Sequence, residues 1–236
     1  MEAQDSLADI YEKLEPHSVE EYLDMDDTTD CFGEKENDVD NSERIPLELL
    51  LSSIKKTARL EGESDEQFLG KITHINLSGK GLKRIKGLEL CRKMQTLYFY
   101  ENALEVLSPL SFARGLTHIY LQHNNLHSLN GIGELPCLQK LYADYNFIEC
   151  VSDLEGCSSL SELHLSHQRL PDSKGLYFTQ ETMGVMRECL VSLSVRGCRL
   201  ARLSDLGQFS SLENFDGSDG DVSGIEEVSR LTYILC

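Results

Sequence analysis

The side chains best suited to chemistry in this 236-residue chain are its histidines, cysteines and carboxylates. Their spacing decides what they can do. His118 and His123 lie five residues apart, and His164 and His167 three apart, with no cysteine or carboxylate cluster beside either pair, so a zinc-type site is not expected. Asp216 to Glu227 has the first and twelfth positions of a calcium loop. Asp221 stands at the sixth position, where the turn needs glycine. Gly79-Lys80-Gly81 lacks the remaining glycine and the Lys-Ser/Thr pair of a phosphate loop. None of the eight cysteines forms a C-x-x-C pair, and most sit inside a repeating pattern, as packed free thiols would. No Ser/His/Asp or Cys/His set can be assembled. The expectation is therefore no catalysis, no metal and no cofactor, leaving recognition as the available chemistry.

Recognition residues are abundant and regularly spaced. Tyr98, Tyr120 and Tyr142 follow one another at a step of 22, and His164 continues the series. Tyr100 and Tyr145 flank it. The step belongs to a longer apolar pattern, L-x-x-L-x-L-x-x-N-x-L. It starts at Ile72, Met94, Leu116, Leu138 and Leu160, then at Leu190 and Leu212 after one copy of 30 residues. This is a leucine-rich repeat, and it predicts an α/β solenoid with a parallel concave sheet. The motif Asn is present at 102, 124 and 146. Lys80, Gln168, Cys198 and Gly220 replace it elsewhere.

The L-x-L pair of each copy reads as a short strand with its apolar side chains inward and the intervening residues outward. The first outward column is Asn76, Tyr98, Tyr120, Tyr142, His164, Ser194 and Asp216. The next is Ser78, Tyr100, Gln122, Asp144, Ser166, Arg196 and Ser218. The third is Gly79, Glu101, His123, Tyr145, His167, Gly197 and Asp219. The column on the other side is His74, Thr96, His118, Lys140, Glu162, Ser192 and Asn214. Together they hold five of the seven histidines and five of the nine tyrosines. Tyr and Arg dominate interface hot spots. The protein-binding set expected on this face is Tyr98, Tyr100, Tyr120, His123, Tyr142, Asp144, Tyr145, His164, His167 and Arg196.

Other elements frame the repeats. Pro46 and the stripe Leu47, Leu50, Leu51, Ile54 and Ala58 predict a helix over 46–60. Ser64-Asp65-Glu66-Gln67 reads as a capping box opening a second helix at Phe68 and Leu69. Residues 44–70 thus form the expected helical cap before a repeat domain over 71–236. In the long fifth copy, Pro171–Gly175 predicts a turn. Thr179 then N-caps a helix with Met183 and Met186 on its apolar side. An eighth copy would start at Ile234, and no C-terminal cap is visible.

The net charge of −18 is uneven: residues 1–43 hold 16 acidic and 2 basic side chains. That composition predicts a disordered acidic tail. Within it, Leu7, Ile10, Tyr11 and Leu14 could form a helix on a partner. Nucleic-acid binding is disfavoured without a basic face. No apolar run is long enough to span a bilayer, and the first ten residues lack an apolar signal core, so a cytoplasmic protein is expected. Residues 71–93 carry seven basic side chains against Glu89, a surface suited to an acidic partner.

The 22-residue step with I-x-x-L-x-x-L after the Asn segment resembles the SDS22-like class of leucine-rich repeats. KITHINLSGKGLKRIKGLELC (71–91), LTHIYLQHNNLHSLNGI (116–132) and QRLPDSKGLYFTQETMGVM (168–186) are similar to the leucine-rich-repeat regulatory subunits of protein phosphatase 1, those of the testis above all. The resemblance runs from about Ile45 to Leu231. It implies a non-catalytic subunit that holds the phosphatase catalytic subunit on its concave face and modulates its activity. It also implies association with microtubules and the centrosome, that is, the cytoskeleton. The alternative is a cytoskeletal or ciliary adaptor that meets tubulin or kinesin-type proteins without a phosphatase. The short phosphatase-docking motif, a basic residue then V/I-x-F/W, is absent, which leaves the solenoid face for docking. The acidic tail lies outside the resemblance.

Overall fold

A computed structural model of the chain describes residues 44–54, 59–107, 110–200 and 209–220. The expected tail over 1–43, Ala58, and the stretch holding the end of the seventh copy and the start of an eighth lie outside the described residues. Two short helices come first, α1 (Leu47–Ser52) and α2 (Asp65–Leu69). The strands and one more helix follow as β1 (His74–Asn76), β2 (Thr96–Tyr98), β3 (His118–Tyr120), β4 (Lys140–Tyr142), β5 (Cys150–Val151), β6 (Glu162–His164), β7 (Tyr177–Phe178), α3 (Gln180–Cys189), β8 (Ser192–Ser194) and β9 (Asn214–Asp216).

Seven of the strands form one parallel sheet in the order β1-β2-β3-β4-β6-β8-β9. Each residue pairs with the one in the same repeat position of the next copy: Ile75 with Leu97, Leu97 with Ile119, Ile119 with Leu141, and on through Leu163 and Leu193 to Phe215. The 30-residue copy leaves this register intact, because Glu162 pairs with Ser192. The central strand residues from Ile75 to Leu193, the second inward residues from Leu77 to Val195 and convex-side apolar residues such as Leu88, Leu110 and Leu135 join one continuous core, with Phe215 of the seventh strand packed against it. Each copy buries its apolar edge only against its neighbours, so stability is built from repeat-to-repeat interfaces.

Asparagine closes the turns of the second, third and fourth copies. Asn124 Oδ1 accepts from the Leu104 amide, while its Nδ2 donates to the carbonyls of Phe99, Leu121 and Gln122. Asn102 and Asn146 repeat this set one copy earlier and later. Two positions that read as departures from the motif do the same work. Gln168 accepts from the Ile148 amide and donates to the carbonyls of Ala143 and Leu165. The Cys198 thiol donates to the Leu165 carbonyl, and its sulfur accepts from the Gln168 amide. Buried backbone groups that the turn removes from the sheet are thereby paired.

The predicted helix over 46–60 is shorter than expected. It stops at Ser52, where the hydroxyls of Ser52 and Ser53 bond back to the carbonyls of Leu49 and Leu50. Such local bonds compete with helix propagation. Ile54 then turns into the core. The box at α2 is complete: the Gln67 amide donates to Ser64 Oγ, and the Ser64 amide donates to Gln67 Oε1. In the long copy, the Lys174 amide closes the Pro171 turn. Thr179 caps α3, and Met183 and Met186 are buried. The same insertion adds a feature that apolar periodicity did not announce. Tyr177–Phe178 pairs in parallel with Cys150–Val151 as a second, two-stranded sheet.

Candidate functional site

The outward columns become two stacked rows of rings. In the first, Tyr98 and Tyr120 lie 4.7 Å apart and Tyr120 and Tyr142 4.8 Å, centroid to centroid, and His164 follows 4.6 Å from Tyr142 with its ring tilted by 36°. These distances match the spacing of neighbouring strands, so the sheet itself sets the stack. In the second row, His123 and Tyr145 lie 4.3 Å apart, and Tyr145 and His167 4.8 Å.

The second row depends on an unusual backbone. His123, Tyr145 and His167 have φ between 52° and 56°, as do Glu101 and Asp219 to within a few degrees. Gly79 and Gly197 occupy the same column with φ of 64° and 67°. A non-glycine residue in this left-handed region costs on the order of 1 kcal/mol. The amides of this column still bond across to the next copy, as from His123 to the Asp144 carbonyl and from His167 to the Arg196 carbonyl. The bend re-aims these side chains. His164 and His167, three apart in the chain, thereby enter different rows. Gly197 ends the second row for a steric reason: a Cβ there would run into the His167 ring.

Between the rows lies the column Tyr100, Gln122, Asp144, Ser166 and Arg196. Not all of these side chains stand free, as an outward-column reading expects. Asp144 is 1 % exposed, and its Oδ1 accepts from the Ser166 amide. Tyr142 is 0 % exposed and Tyr120 9 %. Burial pushes the Tyr120 phenol up to about 12, so it stays a neutral donor. Tyr98, Tyr100, His123, Tyr145, His164 and His167 are half-buried, and Arg196 is exposed, with its Nε donating to Asp219 at 2.8 Å. The accessible part of the expected set is thus Tyr98, Tyr100, His123, Tyr145, His164, His167 and Arg196, with Tyr120, Tyr142 and Asp144 buried among them. The His118 and His123 imidazoles are both held below the usual histidine range by burial, so their neutral forms are favoured.

Glu162 is the residue that motif reading passed over. Its carboxylate receives the Tyr142 hydroxyl at 2.6 Å, His164 Nε2 at 3.1 Å and Lys140 Nζ at 2.7 Å. The hydrogen bond from His164, with those from Lys140 and Tyr142, outweighs burial and holds its pKa down at about 2. The signal for it was the opposite charge of Lys140 one repeat earlier in the same column, a cross-strand pair.

A carboxylate whose folded pKa lies below its unfolded value stabilises the fold above that unfolded value. The contribution is lost as pH falls through the folded value. Glu162 should therefore contribute at most about 3 kcal/mol at neutral pH, fading between about pH 5 and pH 2. Urea midpoints of the wild type and Glu162→Gln, taken from pH 7 to pH 3, check this. The gap between them should narrow as pH falls, and a gap of constant size would refute the assignment.

Among the described residues, no group of three or more His, Cys, Asp or Glu side chains is placed to hold a metal ion. No helix among them is long and apolar enough to cross a membrane. Cys91 and Cys157 are buried, and burial raises their thiols to about 11 and about 12, which removes them as nucleophiles.

No protein-family model matches the chain. Among solved structures it is similar to an internalin, inlF, from Listeria monocytogenes, with 19 % identity and a TM-score of 0.51 over 74 % of this chain. This chain spans 57 % of that internalin's length. An internalin C2, inlC2, from the same organism matches with 17 % identity and a TM-score of 0.49 over 78 % of this chain and 89 % of its own. The inlF likeness is one of fold, and it agrees with the leucine-rich-repeat architecture described above.

Proposed function

We propose that this protein is a non-catalytic protein-binding scaffold whose concave face is the binding surface, and that it acts as a regulatory subunit of protein phosphatase 1. The observation that carries the first part is the pair of aromatic rows. They run over several copies of the repeat on one face, with Arg196 exposed at one end and Glu101 at the other. Half-buried Tyr and His rings offer large amphipathic contact area at low conformational cost, and a solenoid presents them as one rigid surface. A partner on this face would be gripped by Tyr98, Tyr100, Tyr145, His164, His167 and Arg196, with the buried Tyr142 and Asp144 packed among them. The second part rests on the resemblance of segments 71–91, 116–132 and 168–186. That resemblance also supplies the microtubule and centrosome setting.

The alternative, a cytoskeletal adaptor without a phosphatase, draws on a different observation. Lys80, Lys83, Arg92 and Lys93 are exposed at the first copies, a surface suited to an acidic protein such as tubulin or a kinesin-type partner. Affinity capture with the full chain followed by mass spectrometry separates the two. Phosphatase catalytic subunit captured by the wild type and lost from a Tyr100→Ala/Arg196→Ala double variant is the expected result. Tubulin or kinesin-type proteins alone, lost instead on reversing Lys80, Lys83, Arg92 and Lys93, would favour the adaptor.

A further inference from the structure

Three buried side-chain atoms among the described residues have no hydrogen-bond partner: Gln122 Nε2, Gln122 Oε1 and His123 Nε2. All three fall in one dipeptide of the third copy. Gln122 is 0 % exposed. Its column neighbours on the adjacent copies are Tyr100 and Asp144, and the two rows of rings run on either side of it. Buried polar groups are almost always paired, and an unpaired amide donor or acceptor is costly. The Asn and Gln amides of the turns satisfy every group they carry against the backbone, as Asn124 does two residues away. Gln122 does not, although it lies on the same copy.

A primary amide offers one donor and one acceptor side by side. In an extended chain, the N–H and C=O of a single residue point to the same side. The two groups are complementary: Nε2 donates to that C=O while Oε1 accepts from that N–H. The next residue, His123, stands in the second row and leaves one more buried hydrogen-bonding atom, Nε2, without a partner. A few polar atoms set among aromatic side chains are the usual make-up of a recognition site. We infer that Gln122 and His123 form a main-chain reader, which grips an extended peptide segment of the partner through its backbone while the flanking rings take its side chains. This rests on the concave face being the protein-binding surface. Because Gln122 has no exposed surface, the segment engages it through a local side-chain shift, as is common at interfaces.

The test uses the full chain and a phage-displayed library of random decapeptides as the probe. Selected peptides should lose about 10- to 100-fold in affinity against Gln122→Leu, the size expected for two lost hydrogen bonds with groups left unpaired. Replacing one peptide bond of a binder by an ester, which removes a single N–H, should weaken binding to the wild type about tenfold. The same ester should leave binding to Gln122→Leu unchanged. The free Gln122→Leu protein should melt at or above the wild-type temperature, because the variant removes unpaired groups.

Peptides that bind Gln122→Leu as tightly as the wild type overturn the reader. If those peptides are still lost from Tyr100→Ala/Arg196→Ala, the concave-face reading survives without it. If they are lost from neither variant, both fail. A Gln122→Leu protein that melts several degrees lower assigns the amide a structural partner and overturns the proposal, as does a library that yields no binder.

Discussion

Asn146→Leu should destabilise the fold by about 4 kcal/mol, among the largest effects of any single polar substitution in this protein. The side chain is fully buried and makes four bonds to backbone: from the Leu126 amide to Oδ1, and from Nδ2 to the carbonyls of Leu121, Ala143 and Asp144. Leucine matches the volume and leaves those groups buried without partners, at about 1–3 kcal/mol each before relaxation. The fourth copy lies inside the sheet, with β3 on one side and β6 on the other, so damage there weakens two repeat interfaces at once. Asn146→Gln should recover much of the loss, because Gln168 already makes the corresponding bonds one copy later. Urea unfolding measures both. A cost under about 1 kcal/mol for Asn146→Leu would mean that the turn does not depend on the amide.

The second large effect is expected at Tyr142. Its ring has no exposed surface, stacks on Tyr120 and meets His164 at a tilt of 36°, and its hydroxyl donates to Glu162. Truncation to alanine removes a buried aromatic ring and should cost about 3–5 kcal/mol. Tyr142→Phe keeps the ring and loses one hydrogen bond to a charged group, which should cost about 1.5–3 kcal/mol. Thermal unfolding of the two variants gives the ratio, and near-equal losses would contradict the stacking account. Tyr142 is thus a poor residue with which to probe binding. Its loss opens a gap inside the first row of rings, and a binding defect in a Tyr98/Tyr120/Tyr142 triple variant would not separate contact from collapse.

The fold could be read from the leucines because one inward position per strand, repeated at 22, fixes both the strand and its register. The helix of the long copy was equally readable, since Thr179, Met183 and Met186 carry cap and stripe together. What the pattern could not convey was depth. Outward in a strand means exposed only when the neighbouring columns are small. Here the rings of successive copies lie under 5 Å apart and cover one another, so Tyr142 and Asp144 are buried on the face that periodicity assigns to solvent. Chemical equivalence was hidden too. Gln168 and Cys198 look like lapses from asparagine, yet both present a donor and an acceptor at the same turn. The pairing of Tyr177–Phe178 with Cys150–Val151 joins residues that no shared period connects. Of the ten residues expected to bind, the structure gathers seven into two stacked rows and sets Tyr100, Asp144 and Arg196 in the column between them.

The most direct test of the concave face is titration calorimetry of the purified full chain with the catalytic subunit of protein phosphatase 1. Three proteins would be compared: the wild type, the concave variant Tyr100→Ala/Arg196→Ala, and a variant in the long copy away from the rows, Lys174→Ala. Tyr100 and Arg196 are accessible, and neither carries the packing of Tyr142. Loss of a tyrosine and an arginine contact should weaken binding by about 2 kcal/mol or more, some thirtyfold, while Lys174→Ala binds as the wild type does. Wild-type affinity in the concave variant, or no heat of binding from the wild-type chain, would contradict the account.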